Sequence, residues 1–110
     1  MTAKDFFTRY KACNDKLSAA IKRVRKIPNY NKSSACTDFI ASASLTLTRN
    51  VTDYGHLMRY PEQLKNLNME DYIEMLEDEL RIYEIKCKTL VESPPIYVPY
   101  DPNNPNRRPT

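Results

Sequence analysis

An all-α chain, a three-helix up-down-up antiparallel bundle followed by an extended proline-rich tail, is the architecture that these 110 residues predict. Three features carry that expectation. Three long stretches each repeat apolar residues at alternating spacings of four and three, the period of one helix face and of no strand. The chain has a single glycine, Gly55, so it lacks the residue on which β-hairpin turns and glycine-rich phosphate cradles both depend. Of eight prolines, six lie after residue 93, which leaves the body uninterrupted and marks off a tail. The predicted division is a bundle over 1–92 and a tail over 93–110.

The first helix is expected over residues 3–27. Thr2 with Asp5 three positions on makes a capping start, and Phe6, Tyr10, Cys13, Leu17, Ala20, Val24 and Ile27 form its stripe. Pro28 stops it. Residues 28–34 are a loop by composition, from which Ser33 or Ser34 can cap the next helix.

Residues 35–59 carry a helical stripe through Cys36, Ile40, Ala43, Leu47, Val51, Tyr54 and Met58, widened by Phe39 and Leu57. Residues 44–48 alternate and are partly β-branched, so a short strand competes there. A lone strand would leave its backbone groups unpaired, which favours the helix. Gly55 is expected to end or bend it, with a turn at Tyr60-Pro61 and a short helical piece over 62–67.

The clearest stretch is residues 68–91. Met69, Ile73, Leu76, Leu80, Tyr83, Cys87 and Leu90 make the stripe, Asn68 stands at the capping position, and Asp71 complements the positive end of the helix dipole. Tyr72, Met75, Ile82 and Ile85 widen the apolar face, so this helix needs two partners. Ser93-Pro94-Pro95 closes it. Short connections between three such helices give the up-down-up topology.

Composition narrows the function. Charged residues at 28% and hydrophobic residues at 41% suit a folded domain and argue against wholesale disorder. Cys13, Cys36 and Cys87 are odd in number, scattered, and each on an apolar stripe, which predicts buried reduced thiols and a cytoplasmic or nuclear setting. No signal peptide or membrane-spanning run is read, so secretion is not expected and the sequons at Asn31 and Asn50 are read as chance.

Catalysis is not expected. The one histidine, His56, falls in a predicted turn without a carboxylate partner at helical spacing, so the cysteines and serines lack a base. One histidine and scattered cysteines match no metal spacing, and no cofactor is implied. Glu70, Glu74 and Glu77 share a face, read as a solvated surface opposite the apolar seam.

Two recognition elements remain. Lys22, Arg23, Arg25 and Lys26 crowd the end of the first helix, and the predicted topology brings Lys86 and Lys88 of the third to the same end, with Arg107 and Arg108 in reach. A bundle basic at one end and acidic at the other fits a nucleic acid, an acidic membrane or an acidic partner. The tail contains Pro94-Pro95-Ile96-Tyr97, a P-P-x-Y sequence similar to the ligands of WW domains. Its prolines and tyrosine would enter an aromatic groove as a preformed polyproline helix, with Tyr100 nearby. The competing reading has Pro94-Pro95 only ending the helix while Ile96, Tyr97, Val98 and Tyr100 fold back on the bundle.

Asp5-Phe6-Phe7 in the first helix, Asp38-Phe39-Ile40 opening the second, and Asn68-Met69-Glu70-Asp71 opening an acidic third resemble the N-terminal helical domain of endoplasmic-reticulum syntaxins. The likeness spans about residues 3–92. It implies a three-helix regulatory bundle that binds tethering factors; no coiled SNARE segment or membrane anchor follows to support fusion itself. The function expected from the sequence is therefore a non-enzymatic interaction module or adaptor subunit, with anionic-surface binding as the alternative.

Overall fold

The computed structural model describes residues 1–95. Within them the chain is all helix, with no strand: α1 (Ala3–Arg25), α2 (Ser34–Arg59) and α3 (Met69–Glu92), joined by 3-10 turns at Tyr30–Lys32 and Pro61–Asn66. Residues 44–48 are helical, as their lack of a strand partner requires.

Each helix begins on the side-chain cap its sequence offers. The Asp5 amide donates to Thr2 Oγ1 at 3.1 Å, the Cys36 amide to Ser33 Oγ at 3.3 Å, and the Asp71 amide to Asn68 Oδ1 at 3.1 Å. Each bond satisfies one of the N–H groups that a helix start leaves without a carbonyl. Asn29 enters the first turn with φ 59°, a left-handed conformation that asparagine tolerates better than most residues.

Long-range contacts fix the topology. Arg9 pairs with Glu77, Tyr10 meets Tyr72, and Cys87 lies against the Ala20 carbonyl, so α1 and α3 run in the same direction. Phe7 and Tyr10 contact Tyr54, while Phe39, Ser42 and Thr46 meet Tyr83 and Arg49 meets Glu79. Helix α2 therefore runs against both others, and the arrangement is up-down-up.

The core is the α1 stripe as the sequence lays it out, with Phe6, Tyr10 and Val24 completely buried, joined by Ile73, Leu76, Leu80 and Cys87 of α3. One end is aromatic: Phe6, Tyr10 and Tyr72 lie within 5.9 Å of one another, centre to centre. The Tyr10 hydroxyl donates to the Asn50 carbonyl at 2.8 Å and lies 3.4 Å from the Tyr72 hydroxyl, which satisfies the one polar atom of a buried ring.

Helix α2 departs from expectation. It buries Cys36, Phe39, Ala43, Asn50 and Leu57. Val51 and Met58, expected in its core stripe, are 50% and 52% exposed. The cause lies in what faces α3. The Tyr83 ring packs on Phe39 while its hydroxyl bonds Ser42 at 2.8 Å and Thr46 at 2.9 Å at the outer edge of the contact, so the Phe39 and Leu57 side of α2 is covered and Val51 and Met58 lie outside it. Gly55 neither ends nor bends α2, which continues to Arg59 and carries His56 in its last turn. On α3 the widening residues Met75, Ile82 and Ile85 are 55%, 55% and 60% exposed, outside the core. A helix with two neighbours can bury only the sector they cover, and α3 has more apolar face than that.

Candidate functional site

Among the described residues, no group of three or more His, Cys, Asp and Glu side chains converges to hold a metal ion. His56 is exposed and stacks obliquely on Tyr60, its ring 5.0 Å away. All three cysteines are free and buried, and desolvation pushes the Cys13 and Cys87 thiols up, so both stay protonated and unreactive.

What the structure brings together is surface. At one end, Lys22, Arg23, Arg25 and Lys26 are all exposed, and none of the four makes an ion pair with another described residue. Because α1 and α3 run parallel, Lys86 and Lys88 join that end, Lys88 beside Glu92 at 3.9 Å. The first turns of α3, with Glu70, Asp71 and Glu74 exposed, lie at the opposite end. The acidic face is used in part for packing: Glu77 bonds Arg9 of α1 and Glu79 bonds Arg49 of α2 at 3.0 Å, so Glu77 sits at a helix junction instead of opposite the seam.

Two apolar surfaces also reach solvent. On the outer side of α3, Met75, Ile82 and Ile85 share one stripe with Asp71, Asp78, Thr89 and Glu92 at alternating spacings of four and three. Between α1 and α2, on the side away from α3, a shallow groove is lined by Phe7, Ala12, Tyr54 and Met58, with Lys4, Lys11 and Asp15 at its edge. The sequence reading placed Tyr54, Met58, Met75, Ile82 and Ile85 on the apolar faces of the bundle and so missed both surfaces. The signal was present as an excess, since each of α2 and α3 has more apolar positions than a three-helix bundle can enclose.

Pro94 and Pro95 leave α3 directly, Pro94 exposed and Pro95 half-buried. Ile96, Tyr97 and Tyr100, the rest of the expected peptide, lie outside the described residues, as do Arg107 and Arg108.

No protein-family model matches the chain, and searches of curated proteins and of solved structures found no match. No helix among the described residues is long and apolar enough to cross a membrane. The chain's own surfaces are therefore what point to a function.

Proposed function

We propose that this chain is a non-enzymatic protein-protein interaction module, an adaptor subunit of a larger assembly. The observation that carries the proposal is the pair Ile82 and Ile85, large apolar side chains more than half exposed on the outer face of a helix whose inner face already supplies the core. Apolar surface of that kind at neighbouring helical positions is what partner helices and grooves cover. The likeness to the regulatory domain of endoplasmic-reticulum syntaxins favours the same class of function.

The finer part of the proposal is that the Pro94-Pro95-Ile96-Tyr97 peptide, carried on the rigid stem of α3, is offered to WW domains. A polyproline segment loses little freedom on binding, so a short contact can be specific. Titrating the full chain with a purified WW domain, and repeating it with Tyr97→Ala, tests this. Binding lost in the variant supports the peptide reading; no binding by the intact chain rejects it.

The second reading rests on Lys22, Arg23, Arg25 and Lys26, which pair with no acid among the described residues. Four exposed cations at one end, with Lys86 and Lys88 beside them, suit a nucleic acid or an acidic membrane. Reversing Arg23 and Lys26 to glutamate should weaken binding to duplex nucleic acid or anionic vesicles, and added salt should weaken it further. Absence of binding at about 50 mM salt, where such contacts are strongest, ends that reading.

A further inference from the structure

Ser93 is the only serine or threonine of the chain that is followed by proline. It is also the first residue past α3, exposed, with φ −130° and ψ 70°, so its backbone has left the helix. Among the described residues its hydroxyl has no partner. The other described serine and threonine hydroxyls lie within helices or, at Thr2 and Ser33, cap them. Phosphoryl transfer needs the acceptor oxygen held in line with the phosphorus inside a kinase, a place that chain outside a helix can enter and a packed helix cannot. The last turn of α3 adds to this access. It carries Glu92 and no base, an arrangement that the negative end of a helix dipole disfavours, so that turn opens at small cost.

Ser93 stands at the basic end of the bundle. Cys87 lies against the Ala20 carbonyl and α1 runs parallel to α3, so six residues further along each helix Ser93 is level with Lys26. Across the antiparallel pair, Arg49 meets Glu79 and Ser42 meets Tyr83, which sets Ser93 level with the first turn of α2. Within two turns of that level the charged groups are Lys22, Arg23, Arg25 and Lys26 of α1, Lys32 of the connecting turn, Asp38 of α2, and Lys86, Lys88 and Glu92 of α3. Cations outnumber acids there, and the four of α1 pair with no acid among the described residues.

We infer that Ser93 is a phosphorylation site whose phosphate acts on the basic end, cancelling charge of the surrounding lysines and arginines. In the transfer a bond forms from Ser93 Oγ to the γ-phosphorus of a nucleoside triphosphate as the bond from that phosphorus to its bridging oxygen breaks. The nucleoside diphosphate leaves, and the hydroxyl proton passes to the base of the kinase. The product carries about 1.5 to 2 negative charges at pH 7, which takes the chain from +3 to about +1. Glu92 and the carbonyl end of α3 repel that phosphate, while any lysine or arginine that reaches it donates charge-assisted hydrogen bonds. The modification itself needs no partner. The inference rests on the basic-end reading only for what the phosphate controls, the hold of that end on a polyanion.

Treating the full chain with a purified kinase that acts on serine before proline, and with a nucleoside triphosphate, tests the site. Intact mass should show one added phosphate, absent from Ser93→Ala. The phosphate then reports its surroundings: its second ionisation, ordinarily near about pH 6, should fall below that value in a phosphorus NMR titration, because neighbouring cations favour the dianion. It should return toward about 6 on adding salt, and in Arg23→Gln/Lys26→Gln. Both of these side chains are exposed, so the fold is kept, and urea unfolding of the variant checks that. Binding to duplex nucleic acid should weaken roughly tenfold on phosphorylation, as two fewer net charges meet the phosphates. A folded chain that takes no phosphate, or takes it equally in Ser93→Ala, overturns the inference. So does an ionisation at or above about 6, or duplex binding that phosphorylation leaves unchanged. If the unmodified chain binds no duplex, the basic-end reading fails by itself, and the label and the titration still decide the site.

Discussion

Asn14 offers the sharpest test of the packing. It sits in the α1 stripe between Tyr10 and Leu17, is 9% exposed, and its Oδ1 has no hydrogen-bond partner among the described residues. Exchanging the amide oxygen and nitrogen would only replace a buried acceptor with a buried donor. A buried polar atom without a partner costs about 1–3 kcal/mol, and an apolar group of the same shape escapes that cost. Leucine has nearly the branching pattern of asparagine with somewhat more volume, so the strain that accompanies the exchange is small. Asn14→Leu should therefore stabilise the bundle by about 1–3 kcal/mol, a sizeable change against a total of roughly 5–15 kcal/mol. The assay is urea unfolding followed by circular dichroism, reading the midpoint at unchanged slope. In thermal unfolding each kcal/mol should raise the midpoint by about 4–8 °C for a domain of this size. Asn14→Asp is the control: a buried carboxylate should destabilise strongly, and stability should return as pH falls and the carboxyl is protonated. A loss of more than about 1 kcal/mol in Asn14→Leu, on the scale of a typical net hydrogen bond, would refute the reasoning, because the amide would then be making a bond of value.

Three further outcomes follow from the same packing. Leu80→Ala, 7% exposed at mid-helix, should cost about 2–5 kcal/mol in urea unfolding, and a loss under about 1 kcal/mol would remove this face from the core. Gly55→Ala should stabilise by about 0.5–1 kcal/mol, because Gly55 lies inside α2 with nothing within 4 Å of an added Cβ and a helical backbone that alanine prefers; unchanged or lower stability would contradict this. Alkaline pH should destabilise the fold: burial raises the Cys13 and Cys87 thiols and the Tyr10 hydroxyl, so folding favours their protonated forms. Below about pH 8.5 these groups contribute no pH dependence. Above about 8.5 for the thiols and 10 for the phenol the unfolded chain releases protons that the folded chain keeps, and stability falls by up to about 1.4 kcal/mol per pH unit per group. Urea midpoints that stay level from about pH 8 to 11 would show that these groups are solvated, since their ordinary titration lies within that range.

Most of the architecture was legible because local signals agreed with one another. Thr2, Ser33 and Asn68 are capping residues by type and are capping residues in the structure. The α1 stripe from Phe6 to Ile27 is also the buried set, since α1 lies between both neighbours and its whole apolar sector is covered. The parallel course of α1 and α3, and with it the meeting of Lys22–Lys26 with Lys86 and Lys88, followed from short connections alone. The orientation of α2 was not legible. Periodicity says which residues share a face but is silent on which of two adjacent faces is buried. Phe39 and Leu57 lie on one of these faces, Val51 and Met58 on the other. The buried face is the one whose Phe39 ring packs on Tyr83, with Ser42 and Thr46 bonding the Tyr83 hydroxyl at its edge.

That choice links the fold to the proposed function. Turning the Phe39 and Leu57 side of α2 inward places Asn50 in the interior, at 6% exposure, and leaves Val51 and Met58 at the surface. The face that is buried instead carries Phe39 and Leu57, so the apolar area removed from water is comparable for either choice. On α3, Ile82 and Ile85 likewise stay outside, while the hydroxyl-bearing Tyr83 between α2 and α3 is half-buried. Large apolar side chains that stay exposed on α2 and α3 leave area in water at positions that a partner could cover. Association that covers Ile82 and Met58 would recover part of that apolar area, so the folded state should gain stability with the concentration of the partner that covers them, as any state that binds a ligand must. Were that partner a further copy of the chain, urea midpoints measured at low and at high concentration would differ for the wild-type chain and coincide for Met58→Asp. Coincident midpoints for both would mean that the exposed residues return nothing to the fold through self-contact.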